Sequence, residues 1–115
     1  MKYLLLCCHE EKTFDAMSKS DCDAMMEETW AYCDTLRKSG HLIDAVPLEP
    51  VQSAVTVRVR NSKSSVTDGP FAETKEQIGG FFLIDARDLN EAIQITSKFP
   101  SARFGSLEVR PVRER

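Results

Sequence analysis

The chain has 115 residues, 42% hydrophobic and 29% charged, with 15 Lys and Arg against 18 Asp and Glu and a formal net charge of −3. This length predicts one domain over residues 1–115, which can bury roughly two-thirds of its unfolded surface without metal or disulfide support. The acidic balance argues against direct nucleic-acid binding, which depends on Lys and Arg neutralising phosphates, and no apolar run reaches the roughly 20 residues of a membrane-spanning helix.

Met1 to Cys8 begins like a signal peptide. Its apolar run is too short, however, and His9-Glu10-Glu11-Lys12 stands where a small-residue cleavage site belongs, so a cytoplasmic location is expected. Tyr3–Cys8 reads instead as a strand apolar on both faces. Glu10–Lys19 is polar and is read as a loop. Ser20 is placed as the N-cap of a helix to about Ser39, with Asp23 in a capping-box position and Gly40 as terminator. Cys22, Met26, Thr29, Trp30, Cys33, Leu36 and Arg37 share one face of it, which makes Met26 and Trp30 core residues by default.

His41–Val46 is a second strand, stopped by Pro47. Ala54–Arg60 alternates, with Val55, Val57 and Val59 opposite Thr56, Arg58 and Arg60. A turn at Asn61–Ser64 and a short strand at Ser65–Thr67 complete a hairpin. Gly80–Asp85 is another strand apolar on both sides. Asp88 caps a second helix with Glu91 at the box position, and Leu89, Ala92, Ile93 and Thr96 form its inner face. Ser106–Val112 is the last strand. The cysteines show no zinc or C-x-x-C spacing and read as reduced, small apolar residues, so no metal or cofactor is expected.

The order is β-α-β, hairpin, β-α-β. Right-handed crossovers turn two such units into an α+β ferredoxin-like sandwich, with both helices on one sheet face and the first and penultimate strands in the centre. Those strands are the two that are apolar on both sides, so the uncovered face needs a lid. The simplest lid is a second copy, which predicts a two-fold homodimer packed sheet to sheet.

The run Asp68-Gly69-Pro70-Phe71, continuing through Glu73-Thr74-Lys75-Glu76-Gln77 and Gly79-Gly80 into an aromatic strand, resembles the DGPF-domain proteins of the YCII-related family. Met1–Leu6, Thr56–Arg60, Leu89–Ile93 and Glu108–Val112 fit the same pattern. The resemblance implies a dimeric α/β-barrel of ferredoxin-like protomers, and for some members an association with extracytoplasmic-function-type sigma factors. YCII-like relatives carry a His–Asp pair proposed as a catalytic dyad, with the His on the first helix. Counting back from Gly40, Thr29 stands there, and His9 and His41 lie elsewhere.

Asp68 is the candidate catalytic residue, as a general base or as a turn residue bonding nearby amides. Lys75 and Glu73 are candidates for holding a ligand, or members of a solvated charged loop. Arg58, with Arg60 and Arg110, can clamp an anion or simply face solvent and discourage edge pairing. His41 is a candidate proton shuttle or a surface group, and Trp30 a core residue or the wall of a pocket between helix and sheet. Gly79-Gly80 is read as a bulge or a close backbone approach. Two functions stand: a cytosolic small-molecule-binding or regulatory homodimer linked to sigma-factor-dependent transcription, and a cofactor-free acid–base enzyme acting on a small organic acid or ketone with Asp68 as base.

Overall fold

Strand β1 (Lys2–His9) runs through the middle of a four-stranded antiparallel sheet of order β2-β5-β1-β6, where β2 is Leu42–Pro47, β5 Gln77–Asp85 and β6 Ser106–Pro111. This computed structural model describes residues 1–114. Helix α1 (Glu11–Asp15) and helix α2 (Lys19–Lys38) join β1 to β2, and α3 (Leu89–Ser97) with the short α4 (Ser101–Phe104) joins β5 to β6. The two strands flagged as apolar on both faces, β1 and β5, are the central pair. The result is an α+β sandwich whose strand order is compatible with a ferredoxin-like fold.

Burial alternates along both central strands. Tyr3, Leu5, Phe82 and Ile84 are buried against Cys33 and Leu36 of α2, Ala92 and Ile95 of α3, and Phe99. Phe99 stacks on Phe82 at 4.1 Å between ring centroids and meets Tyr32 edge-on at 4.8 Å. The Tyr32 hydroxyl donates to the Ile95 carbonyl at 2.7 Å, tying α2 to α3. On the opposite face, Leu4 pairs with Leu83 and Leu6 with Phe81, and these four side chains stay half-buried with no helix above them. Among the described residues, no helix is long and apolar enough to cross a membrane.

Several local expectations need correcting. Ser18, not Ser20, caps α2, its hydroxyl accepting from the Asp21 amide at 3.1 Å. The supposed loop after β1 contains α1, because Phe14 anchors that turn edge-on against His9 at 4.4 Å and Glu11 accepts from the Val51 amide at 3.0 Å. Met26 and Trp30 are not core: they are 38% and 40% exposed, since only the C-terminal half of α2 (Cys33, Leu36) reaches the sheet. On α3 the inner face is Ala92, Ile95 and Thr96, while Leu89 and Ile93 are exposed. Asp88 does cap α3, accepting from the Glu91 amide at 2.9 Å. The reciprocal bond from Glu91 lands on the Arg87 amide, one residue before the cap.

Strands β3 (Val55–Arg60) and β4 (Lys63–Asp68) form a separate two-stranded sheet. Its turn is tighter than expected: Asn61 and Ser62 alone make it, both with positive φ (52° and 63°), as a two-residue hairpin turn requires. Val55, Val57 and Val59, with Val66 opposite Val57, make one apolar face, and all four are 59–67% exposed. This hairpin is an arm. The radius of gyration is 16.0 Å, against about 13 Å for a compact chain of this length. The smallest dimension is 19 Å, one layer of helices on one sheet.

Candidate functional site

The site begins at Gly79 and Gly80. The β1–β5 register shifts there, Cys7 pairing with Gly80 and Cys8 with Ile78, so that Gly79 is the extra residue of a β-bulge. A Cβ on Gly79 would lie 2.1 Å from Cε1 of His9, and one on Gly80 would lie 2.7 Å from the Val46 carbonyl oxygen. The missing side chains thus let the His9 ring lie against β5 and let β2 approach closely. Phe14 completes the seat of the imidazole.

Above this seat the N-terminal half of α2 leaves the sheet, and a cleft opens. Its inner chamber, about 130 Å³, lies between Trp30 and Met26 on α2 and Pro47, Gly80 and Phe82 on the sheet, with Cys7, His9 and Ser101 in its wall. An outer chamber of about 330 Å³ shares His9, Phe14 and Met26 with it and opens past Glu11, Asp15 and Glu49. The outer chamber alone falls within the ~300–1,000 Å³ range of small-molecule sites.

The polar groups of the inner wall are uncharged near neutral pH. Burial pushes the Cys7 thiol up to about 11, the neighbouring Ser101 hydroxyl working against it, so Cys7 is a poor nucleophile. Burial lowers the pKa of His9, with the charges of Glu11 and Glu76 opposing the shift. The Thr29 hydroxyl donates to the Met25 carbonyl at 2.8 Å. Ser101 Oγ is buried and finds no hydrogen-bond partner among the described residues beyond the weak thiol of Cys7 beside it. Such a group is costly unless something meets it. The inner wall therefore suits an apolar body carrying one hydrogen-bonding oxygen.

Of the residues put forward from sequence to bind or react, Trp30 alone lines the cleft among the described residues, beside Met26 and the Gly79-Gly80 pair, which were read as packing and backbone positions. Asp68 ends β4 opposite Val55; its carboxylate is exposed and takes no hydrogen bond among the described residues. Arg58 lies on the other face of that hairpin, opposite Ser65, and donates to the Phe71 carbonyl at 3.3 Å. Arg60 donates to the Val59 carbonyl, and Arg110 pairs with Glu108. Lys75 is exposed and pairs with Glu10 at 3.2 Å; Glu73 is exposed in the loop before β5. His41 stands at the far end of β2 from the cleft, its Nδ1 3.0 Å from the Asp85 carbonyl oxygen. The protomer does not gather these groups into one constellation. His9, Cys7, Phe14 and Ser101 were not put forward as site residues; the one local signal was the glycine pair, read as a bulge or a close backbone approach, and the structure shows both.

The sequence profile of the YCII-related domain matches residues 1–115. An uncharacterised protein of Rhizobium meliloti (strain 1021) is 38% identical over 114 residues, covering 97% of this chain and 92% of that protein. Profile and relative both span the strand–helix–strand units and the arm, and the chain belongs to the YCII-related domain family.

Proposed function

We propose that the protein is a small-molecule-binding homodimer in which the cleft under Trp30 is the ligand site. The observation that carries this reading is the inner chamber itself. It is apolar, roofed by a half-exposed indole, and holds a buried hydroxyl with only the weak Cys7 thiol beside it. The dimer is supported by the unlidded face of Leu4, Leu6, Phe81 and Leu83 and by the bare valine face of the arm. A groove of about 840 Å³, lined by Val55, Val57, Phe71, Cys8 and Ile78, runs from the arm to the sheet and makes the two surfaces continuous. Two copies joined about a two-fold axis would bury both surfaces and form an α/β-barrel. A regulatory role linked to sigma factors belongs to this reading and rests on the family resemblance.

Trp30 is the sole tryptophan, so its fluorescence reports directly on the cleft. Titration with phenethyl alcohol should give a saturable change that Met26→Glu, at a 38% exposed position lining both chambers, abolishes while the fold is retained by circular dichroism. A linear, unsaturable response in the native protein would sink the ligand reading. A monomer by sedimentation at micromolar concentration would sink the dimer.

A further inference from the structure

Resting on that reading of the cleft, we propose that its ligand is an amphiphilic amine, with an aromatic or aliphatic body under Trp30 and a protonated nitrogen among Glu11, Asp15 and Glu49. The chain carries 15 Lys and Arg, yet neither chamber is lined by one. The outer chamber is lined by three carboxylates. Glu11 spends one oxygen on the Val51 amide, while Asp15 and Glu49 make no ion pair among the described residues. Of the nearby cations, Arg103 of α4 pairs with Glu28 at 2.6 Å, and Lys12 of α1 lies with Lys75 in an adjoining depression that shares Glu11 and Asp15 with the outer chamber. His9 is the one titratable cation in the wall, and burial disfavours its charged form.

An organic acid in the outer chamber would meet three carboxylates and, among the described residues, no Lys or Arg in its lining, so the small acid expected of the enzymatic alternative suits this site poorly. A cation at the mouth meets the carboxylates directly. At the inner end, the Ser101 hydroxyl can donate to a hydroxyl, ether or carbonyl oxygen. The lining therefore reads, from outside inward, as acidic, then aromatic, then a single hydrogen-bond donor.

Three probes of similar size separate charge from shape: phenethylamine, phenethyl alcohol and phenylacetate, titrated at low salt by Trp30 fluorescence and calorimetry. The amine is expected to bind about tenfold more tightly than the alcohol, and phenylacetate most weakly. The amine's advantage should shrink in about 0.5 M salt and vanish in the double variant Asp15→Asn, Glu49→Gln. Equal binding of amine and alcohol, or preference for phenylacetate, overturns the amine assignment and leaves the cleft as a ligand site. Failure of all three probes overturns both.

Discussion

Substituting Gly79 with Ala tests the link between the glycine pair and the His9 seat. The new methyl would lie 2.1 Å from Cε1 and 2.8 Å from Nδ1 of His9. Carbon contacts settle near ~3.5–4 Å, so the ring must retreat by more than an ångström. Retreat is blocked on two sides, by Phe14 at 4.4 Å and by the backbone at Gly105, where even a Cβ would come within 2.9 Å of the His9 Cβ. Overpacking of this kind costs about 1–3 kcal/mol. Gly79 does not use a left-handed backbone, so the smaller entropy of an unfolded alanine returns about 0.4–1 kcal/mol. A net loss of roughly 1–2 kcal/mol should appear in urea unfolding at about pH 8, followed by Trp30 fluorescence and circular dichroism. In a His9→Ala background the clash disappears, and Gly79→Ala should become neutral or slightly stabilising, a coupling of about 1–3 kcal/mol. An equal cost in both backgrounds would show that the strain lies in the backbone and refute the reasoning.

Trp30→Ala should leave the melting temperature within a few degrees of native, because the indole is 40% exposed, while calorimetric binding of phenethylamine is lost. Ser101→Ala removes a buried hydroxyl with only the Cys7 thiol beside it and should be neutral or stabilising by up to about 1 kcal/mol in urea unfolding; a large destabilisation would show that the hydroxyl is well satisfied in the fold. Two opposite pH effects are expected. His9 sits below its ordinary 6.5, so the unfolded chain takes up that proton first; its contribution is complete above pH 6.5 and is lost as pH falls toward the folded value. Cys7, raised from 9.0 to about 11, stays protonated longer when folded. Its contribution is complete below pH 9.0 and lost as pH rises to about 11, by roughly 2 kcal/mol, and Cys7→Ala should flatten that alkaline limb of the unfolding curve. Val57→Glu on the arm should convert a sedimenting dimer to monomer with little loss of protomer helix content, since Val57 touches solvent in the protomer.

The sheet was legible because its centre announces itself chemically. A central strand that packs helices on one side and keeps a half-buried apolar face on the other is apolar at every position, and Tyr3–Cys8 and Phe81–Ile84 are the two such runs. Asp88 was legible for a similar reason: one side chain three residues before Glu91 carries a local hydrogen bond. The cleft was not legible, because it arises from how α2 sits and not from what α2 is. Trp30 and Cys33 share a stripe with the same period, yet one is buried and the other is not, since the helix tilts off the sheet toward its N-terminus. Leu89 and Ile93 misled in the same way: α3 is apolar on two adjacent sides, and periodicity cannot choose between them. His9 gave no signal, because its partners Phe14, Gly79 and Gly105 are brought to it only by folding.

The strand order also fixes a timetable for the newborn chain. β1 is made first, but its only neighbours are β5 and β6. From His9 to Gln77 the ribosome adds about 70 residues, roughly 3–14 s of translation, during which Leu4–Cys8 has no edge to join. A greasy pentapeptide waiting that long invites the wrong company. Its flanks, Lys2 before and His9-Glu10-Glu11-Lys12 behind, supply the charges that keep such a segment apart from its siblings until its neighbours emerge.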